Sequence, residues 1–148
     1  MKQIKLLAVL LLIAIGIGSA VAKVPFDKIP NLSGKTSGGK VMVMNTKQFH
    51  SVFKNCQGNG RRVAVIEFGA EWCGWCREQK PVMERLAKEY AGEIDFYSID
   101  TDANPQLSSE LNISGIPYIL VFPVTGAPTK LSGYHDYDEM TQAINKML

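Results

Sequence analysis

Phe68-Gly69-Ala70-Glu71-Trp72-Cys73-Gly74-Trp75-Cys76 is the stretch that decides how this 148-residue chain folds. Two cysteines with two residues between them can close a disulfide that opens and recloses. The pair sits at a junction. Val63-Ala64-Val65-Ile66-Glu67-Phe68 is an apolar, β-branched run that reads as a buried strand. Arg77 to Tyr90 reads as a helix with Met83, Leu86, Ala87 and Tyr90 on one face and a kink expected at Pro81. A thiol at a helix start meets unpaired backbone N–H groups and the positive end of the macrodipole, and both favour the thiolate.

Toward the N-terminus, Val41-Met42-Val43-Met44 reads as a short strand, and Asn45 or Thr46 can cap a helix bearing Phe49, Val52 and Phe53. Toward the C-terminus, Ile94 to Ile99 is a strand and Asn104-Pro105 opens a helix with proline at its favoured first position. Tyr118-Ile119-Leu120-Val121-Phe122 is apolar enough to be a buried strand, and Lys130-Leu131-Ser132 reads as an edge strand. Asp136 and Glu139 form a capping-box pattern before a last helix with Met140, Ile144 and Leu148 at spacing four. The order is β-α-β-α-β-α-β-β-α, with no internal repeat.

The first 22 residues read differently. Lys2 and Lys5 precede an uncharged run from Leu6 to Ala22, and Ala20-Val21-Ala22 has the small-x-small form of a cleavage site. The run is shorter than the roughly 20 residues of a membrane span, so a cleavable signal peptide is expected, with an uncleaved anchor as the alternative. Residues 23–40, rich in Gly, Ser, Pro and Lys, read as a flexible lead-in, and 41–148 as one domain. Without Lys2 and Lys5 the chain holds 14 basic and 14 acidic residues, so nothing points to nucleic acid. Export places the cysteines in an oxidising compartment, where a CxxC pair needs a dedicated electron source or sink.

The element order, with CxxC after the second strand and a proline before the fourth, resembles the thioredoxin family over nearly all of 41–148. Phe68 to Cys76 matches that family's active-site stretch except at Gly69 and Trp75. Pro81 matches its kinking proline, Ile116-Pro117 its Ile-cis-Pro, and Ser132-Gly133 its substrate-groove glycine. The resemblance implies an α/β thioredoxin fold, a central mixed β-sheet flanked by helices in a single domain. It also implies a thiol-disulfide oxidoreductase with no bound cofactor or metal.

Cys73, as the first and more exposed cysteine of the motif, is the expected nucleophile, and Cys76 the resolving thiol one helical turn further in. Arg77 and the helix start should lower the Cys73 pKa below about 8.5. The resemblance makes Pro117 cis, so that Ile116 can pair with a bound peptide strand. It also makes Glu67, where the family has a buried aspartate, the proton acceptor for Cys76. Ser98 stands where some members carry a lysine near that carboxyl. Trp72, Gly74, Trp75, Ile116, Pro117 and Gly133 form the expected substrate groove, with Trp72 as an aromatic wall. Trp75 replaces the proline of reductive members and the histidine of oxidising ones. Gly69 replaces a common tryptophan, whose space Trp75 is expected to fill in part.

The odd thiol, Cys56, is expected to be buried and inert. His50 and His135 receive no role, and Asp100, Asp102, Asp136 and Asp138 read as solvated turns and caps. The expectation is thus an exported, periplasmic, monomeric reductase acting on protein thiols and disulfides, fed by a membrane electron donor. The alternatives are a disulfide oxidase or isomerase of the same fold, or a Cys-based Cu(I) or Zn(II) binder. The last is short of ligands, since a structural zinc site wants four.

Overall fold

The computed structural model describes residues 37–148, and the expected leader and most of the lead-in lie outside the described residues. Five strands form one sheet in the order β1-β3-β2-β4-β5. They are β1 (Val41–Val43), β2 (Ala64–Gly69), β3 (Asp95–Asp100), β4 (Tyr118–Phe122) and β5 (Thr129–Ser132). β3 runs parallel to β1 and β2, whereas β4 is antiparallel to β2 and β5 antiparallel to β4, so the sheet is mixed. The helices are α1 (Thr46–Val52), α2 (Gly74–Glu89), α3 (Pro105–Glu110) and α4 (Tyr137–Asn145). Among the described residues no helix is long and apolar enough to cross a membrane.

β2 is central, and its alternation divides the core in two. Ala64, Ile66 and Phe68 join Phe49, Phe53, Tyr97, Leu120 and Phe122 on one face. Phe53 and Phe122 stack there with ring centroids 4.4 Å apart. Val65 joins Met83, Leu86, Phe96, Val121 and Met140 on the other face, beneath α2 and α4. Fully burying one such side chain is worth about 1.5–3 kcal/mol, so this layering dominates the fold. Glu67 has the parity of Val65, which puts a carboxyl among the residues under α2.

Three details depart from expectation. The chain is already tied to β3 before residue 41, because the buried Ser37 donates its N–H to Asp95 Oδ1 at 3.0 Å. Cys56 closes a separate 3-10 turn, Lys54–Cys56, and is half-buried. α4 ends at Asn145, leaving Leu148 exposed, and Met147 packs against the core in its place. The last turn tightens, with the Met147 N–H donating to the Ile144 carbonyl three residues back, so the spacing of four no longer holds there.

Candidate active site

Strand β2 delivers the motif to the end of the sheet, and α2 begins inside it. The helix starts at Gly74, three residues earlier than the periodicity implied, because Cys73 is its N-cap. The Cys76 N–H donates to Cys73 Sγ at 3.1 Å, doing what a serine or aspartate oxygen usually does. Cys73 and Cys76 are joined as a disulfide. In the dithiol form the same N–H would favour a thiolate on Cys73 over a thiol.

Exposure does not separate the two cysteines as the sequence reading supposed. Cys73 is 6% exposed and Cys76 7%. They differ in what they face. Cys73 Sγ lies 3.7 Å from the Ile116 carbonyl oxygen, next to the cis Ile116–Pro117 bond. Gly133 continues this wall: its φ of 88° suits glycine, and its N–H donates to the Pro117 carbonyl at 2.9 Å. Cys76 faces the other way, into a cleft of about 590 Å³ between α2 and the β1–β3 edge.

Gly69 sets the shape of that cleft. A Cβ there would stand 3.2 Å from Cys76 Sγ and 3.5 Å from Glu67 Oε1, so sulfur and carboxyl both close on the bare glycine and a side chain would crowd the disulfide. Trp75 does not enter the cleft. Its ring is 64% exposed and leans on Tyr134, with centroids 5.8 Å apart, because its place in the first turn of α2 directs it outward. Glu67 is buried, and among the described residues nothing hydrogen-bonds its carboxyl. Desolvation raises its pKa from 4.5 to about 7, with Lys80 opposing the rise.

The rim contains residues that sequence reasoning passed over. Trp72 is exposed and donates its indole N–H to Asp102 Oδ2 at 2.8 Å, so Asp102 is an anchor and not a free turn residue. Gln79 is fully buried on α2. Its amide donates to the His135 carbonyl at 3.0 Å and accepts the His135 N–H at 2.9 Å, fastening the Gly133–His135 segment to the helix. Gly74 is open above, with only the Arg77 guanidinium near it. Burial pushes the Cys56 thiol up, with Lys130 opposing and Glu110 adding, and this suits an unreactive thiol. Among the described residues no group of three or more His, Cys, Asp or Glu is arranged to hold a metal.

A CxxC at a helix N-terminus facing a cis-proline now has its counterpart among known proteins, since residues 40–146 match the sequence profile of thioredoxin. The chain belongs to the thioredoxin family. A thioredoxin from Borreliella burgdorferi is 40% identical over 85 residues, spanning 57% of this chain and 73% of the relative. One from Staphylococcus aureus is 31% identical over 86 residues, 58% of this chain and 83% of its own. The crystal structure of Malassezia sympodialis thioredoxin aligns at a TM-score of 0.62 and 32% identity, over 74% of this chain and 91% of that one. The fold is therefore the thioredoxin fold, and the activity is thiol-disulfide oxidoreduction on protein disulfides, with Cys73–Cys76 fitting a CxxC redox site.

Proposed function

We propose that this thioredoxin-like protein is an exported reductase of protein disulfides, with Cys73 as nucleophile and Cys76 as resolving thiol. The observation that carries the assignment is the 3.7 Å approach of Cys73 Sγ to the Ile116 carbonyl beside the cis-proline. A substrate strand pairing with Ile116 would hold its disulfide against Cys73. The Cys73 thiolate attacks one substrate sulfur, the substrate disulfide breaks, and the first substrate thiolate departs. Cys76 then loses its proton to Glu67 and attacks Cys73 Sγ, releasing the second substrate thiolate. The substrate gains two electrons and the dithiol becomes the disulfide. A carboxyl titrating at about 7 suits that transfer. Trp72, Gly74, Trp75 and Gly133 border the substrate strand in this reading.

The direction follows from the surroundings of Cys73. Trp75 brings no charge, leaving the helix N-terminus and Arg77, and exposed effects of that kind contribute about 1 kcal/mol or less each. Roughly 7 kcal/mol separates the potential of thioredoxin, about −270 mV, from that of a strong oxidase, about −120 mV. The site should lie nearer the reducing end. Equilibration with glutathione buffers and insulin reduction test this. A potential at or above about −180 mV, with good oxidative refolding, would favour the oxidase or isomerase reading.

The leader pattern of residues 1–22 supports secretion to a periplasm, and there a dithiol needs a membrane electron donor to be re-reduced. The chain would act as a monomer with no cofactor. Intact mass of the exported protein should begin at Lys23; retention of residues 1–22 would mean an anchor.

A further inference from the structure

The cleft beside α2 contains Cys76 in its lining and not Cys73, whereas Cys73 is the cysteine set against the groove wall at Ile116. Two small residues, Gly69 and Ser98, border it. Its volume of about 590 Å³ is that of a small-molecule site. At its base stands Glu67, more than nine-tenths buried and without a hydrogen-bond partner among the described residues. Cys76 Sγ and Glu67 Oε1 both lie against Gly69, 3.2 and 3.5 Å from where its Cβ would stand, so the sulfur and the carboxyl meet at one point of the lining.

We propose that this cleft is a second entrance to the redox centre, through which a small cationic thiol reduces the disulfide by attacking Cys76. The inference rests on the disulfide being redox-active, as proposed above, but leaves the attack of Cys73 on protein substrates unchanged. Charge selects the class of thiol. Glu67, Glu71, Glu84 and Asp100 outnumber Arg77 and Lys80 around the cleft, so an aminothiol suits it better than an anionic thiol. The exposed Val43 and its neighbour Val41 offer apolar surface to the carbon chain.

The chemistry favours this side. Glu67 accepts the thiol proton, and the resulting thiolate attacks Cys76 Sγ. The Cys73–Cys76 bond breaks, and its electron pair departs on Cys73. That leaving group is the cysteine whose sulfur already accepts the Cys76 N–H at the helix start, and a stabilised thiolate leaves faster. A second aminothiol attacks the small molecule's sulfur in the mixed disulfide and frees Cys76, which recovers the proton from Glu67. Two thiols become one small disulfide, the protein takes up two electrons, and the second thiol's proton goes to Cys73 or solvent.

The test uses the oxidised protein and cysteamine, quenched at short times with excess N-ethylmaleimide and mapped by tandem mass spectrometry. The expected product carries the cysteamine disulfide on Cys76 and the maleimide on Cys73. Gly69→Trp, which places an indole in the lining against Cys76, should slow adduct formation about tenfold or more, since exchange depends on access. If Gly69→Trp does not fold, the location of the wild-type adduct still decides. An adduct on Cys73, or an unchanged rate in a folded Gly69→Trp variant, overturns the second entrance while leaving the oxidoreductase reading intact. No adduct on either cysteine overturns the second entrance, and only a loss of insulin reduction as well would overturn the oxidoreductase reading.

Discussion

Cys73 and Cys76 are buried to the same degree, yet their surroundings are opposite in character. On the side of Cys73 the polar groups are backbone: the Ile116 carbonyl toward the sulfur, and the Gly133 N–H bound to the Pro117 carbonyl. The exposed side chains there, Trp72, Trp75 and Tyr134, are aromatic. On the side of Cys76 the groups are titratable: Glu67 beside Gly69, and Lys80 close enough to oppose its rise in pKa. Backbone dipoles can dock a peptide but cannot take up a proton. A carboxyl can take up a proton but presents no strand edge. In the proposed mechanism, surroundings and not exposure divide the work between the two thiols.

The strongest way to break this comparison is to remove one sulfur at a time. Cys76→Ser should accumulate mixed disulfides with protein substrates, since Cys73 attacks and is not released. Cys73→Ser should trap no protein partner and lose insulin reduction entirely. Non-reducing gels followed by mass spectrometry read both outcomes. Reversal of the two phenotypes would exchange the roles of the two sides.

Glu67→Gln sharpens the account of the cleft side. The carboxyl's folded pKa is raised from 4.5 to about 7, so the unfolded chain releases this proton at lower pH than the folded one. Ionised Glu67 therefore costs stability, an effect absent below about pH 4.5, growing as pH rises toward 7 and constant above it. The shift corresponds to roughly 3 kcal/mol. Urea titrations of the oxidised protein should find Glu67→Gln more stable than wild type at pH 8, and the two nearly equal at pH 4. Equal stability at pH 8 would mean that Glu67 does not feel its burial. Resolution by Cys76 should slow in the same variant, while the first attack by Cys73 should not.

A smaller effect is expected on the groove side. Gln79→Leu keeps the shape of a fully buried side chain but leaves the His135 N–H and carbonyl without their partners. The cost should be about 2 kcal/mol, read as a lower urea midpoint. The segment carrying Gly133 and Tyr134 should loosen, so KM for insulin should rise while the Glu67-dependent pH profile stays in place. A shifted pH profile would show that the two sides are not separable.

The fold was legible because the signals agreed with one another: an apolar run, a CxxC, a kinking proline and an Ile-Pro pair arrived in the order the topology requires. The site was legible where its chemistry is carried by residues within the motif or next to it. What escaped depends on distant partners or on unusual local chemistry. Trp72 and Asp102 are 30 residues apart, and Gln79 and His135 are 56 apart, with no periodicity to link them. The early start of α2 escaped because cysteine is not among the usual capping residues, although Cys73 caps it. The direction of Trp75 escaped because the gap at Gly69 suggested an occupant, whereas the first turn of α2 points the ring at Tyr134.

The indole of Trp72 is 68% exposed, yet its nitrogen is held by Asp102 in a loop that is itself fastened. Asp100 Oδ1 accepts the N–H of Asp102, the Asn104 amide donates to the Asp100 carbonyl, and Thr101 donates both its N–H and its hydroxyl to the Gly69 carbonyl. An exposed aromatic side chain ordinarily samples several rotamers and loses that freedom on each encounter, at about 0.5–1.5 kcal/mol for a flexible side chain. Here most of the ordering is completed when the chain folds. A cysteine-bearing strand arriving at the proposed groove would then meet a surface already in its final shape, and less of its binding energy would go into ordering the wall it meets.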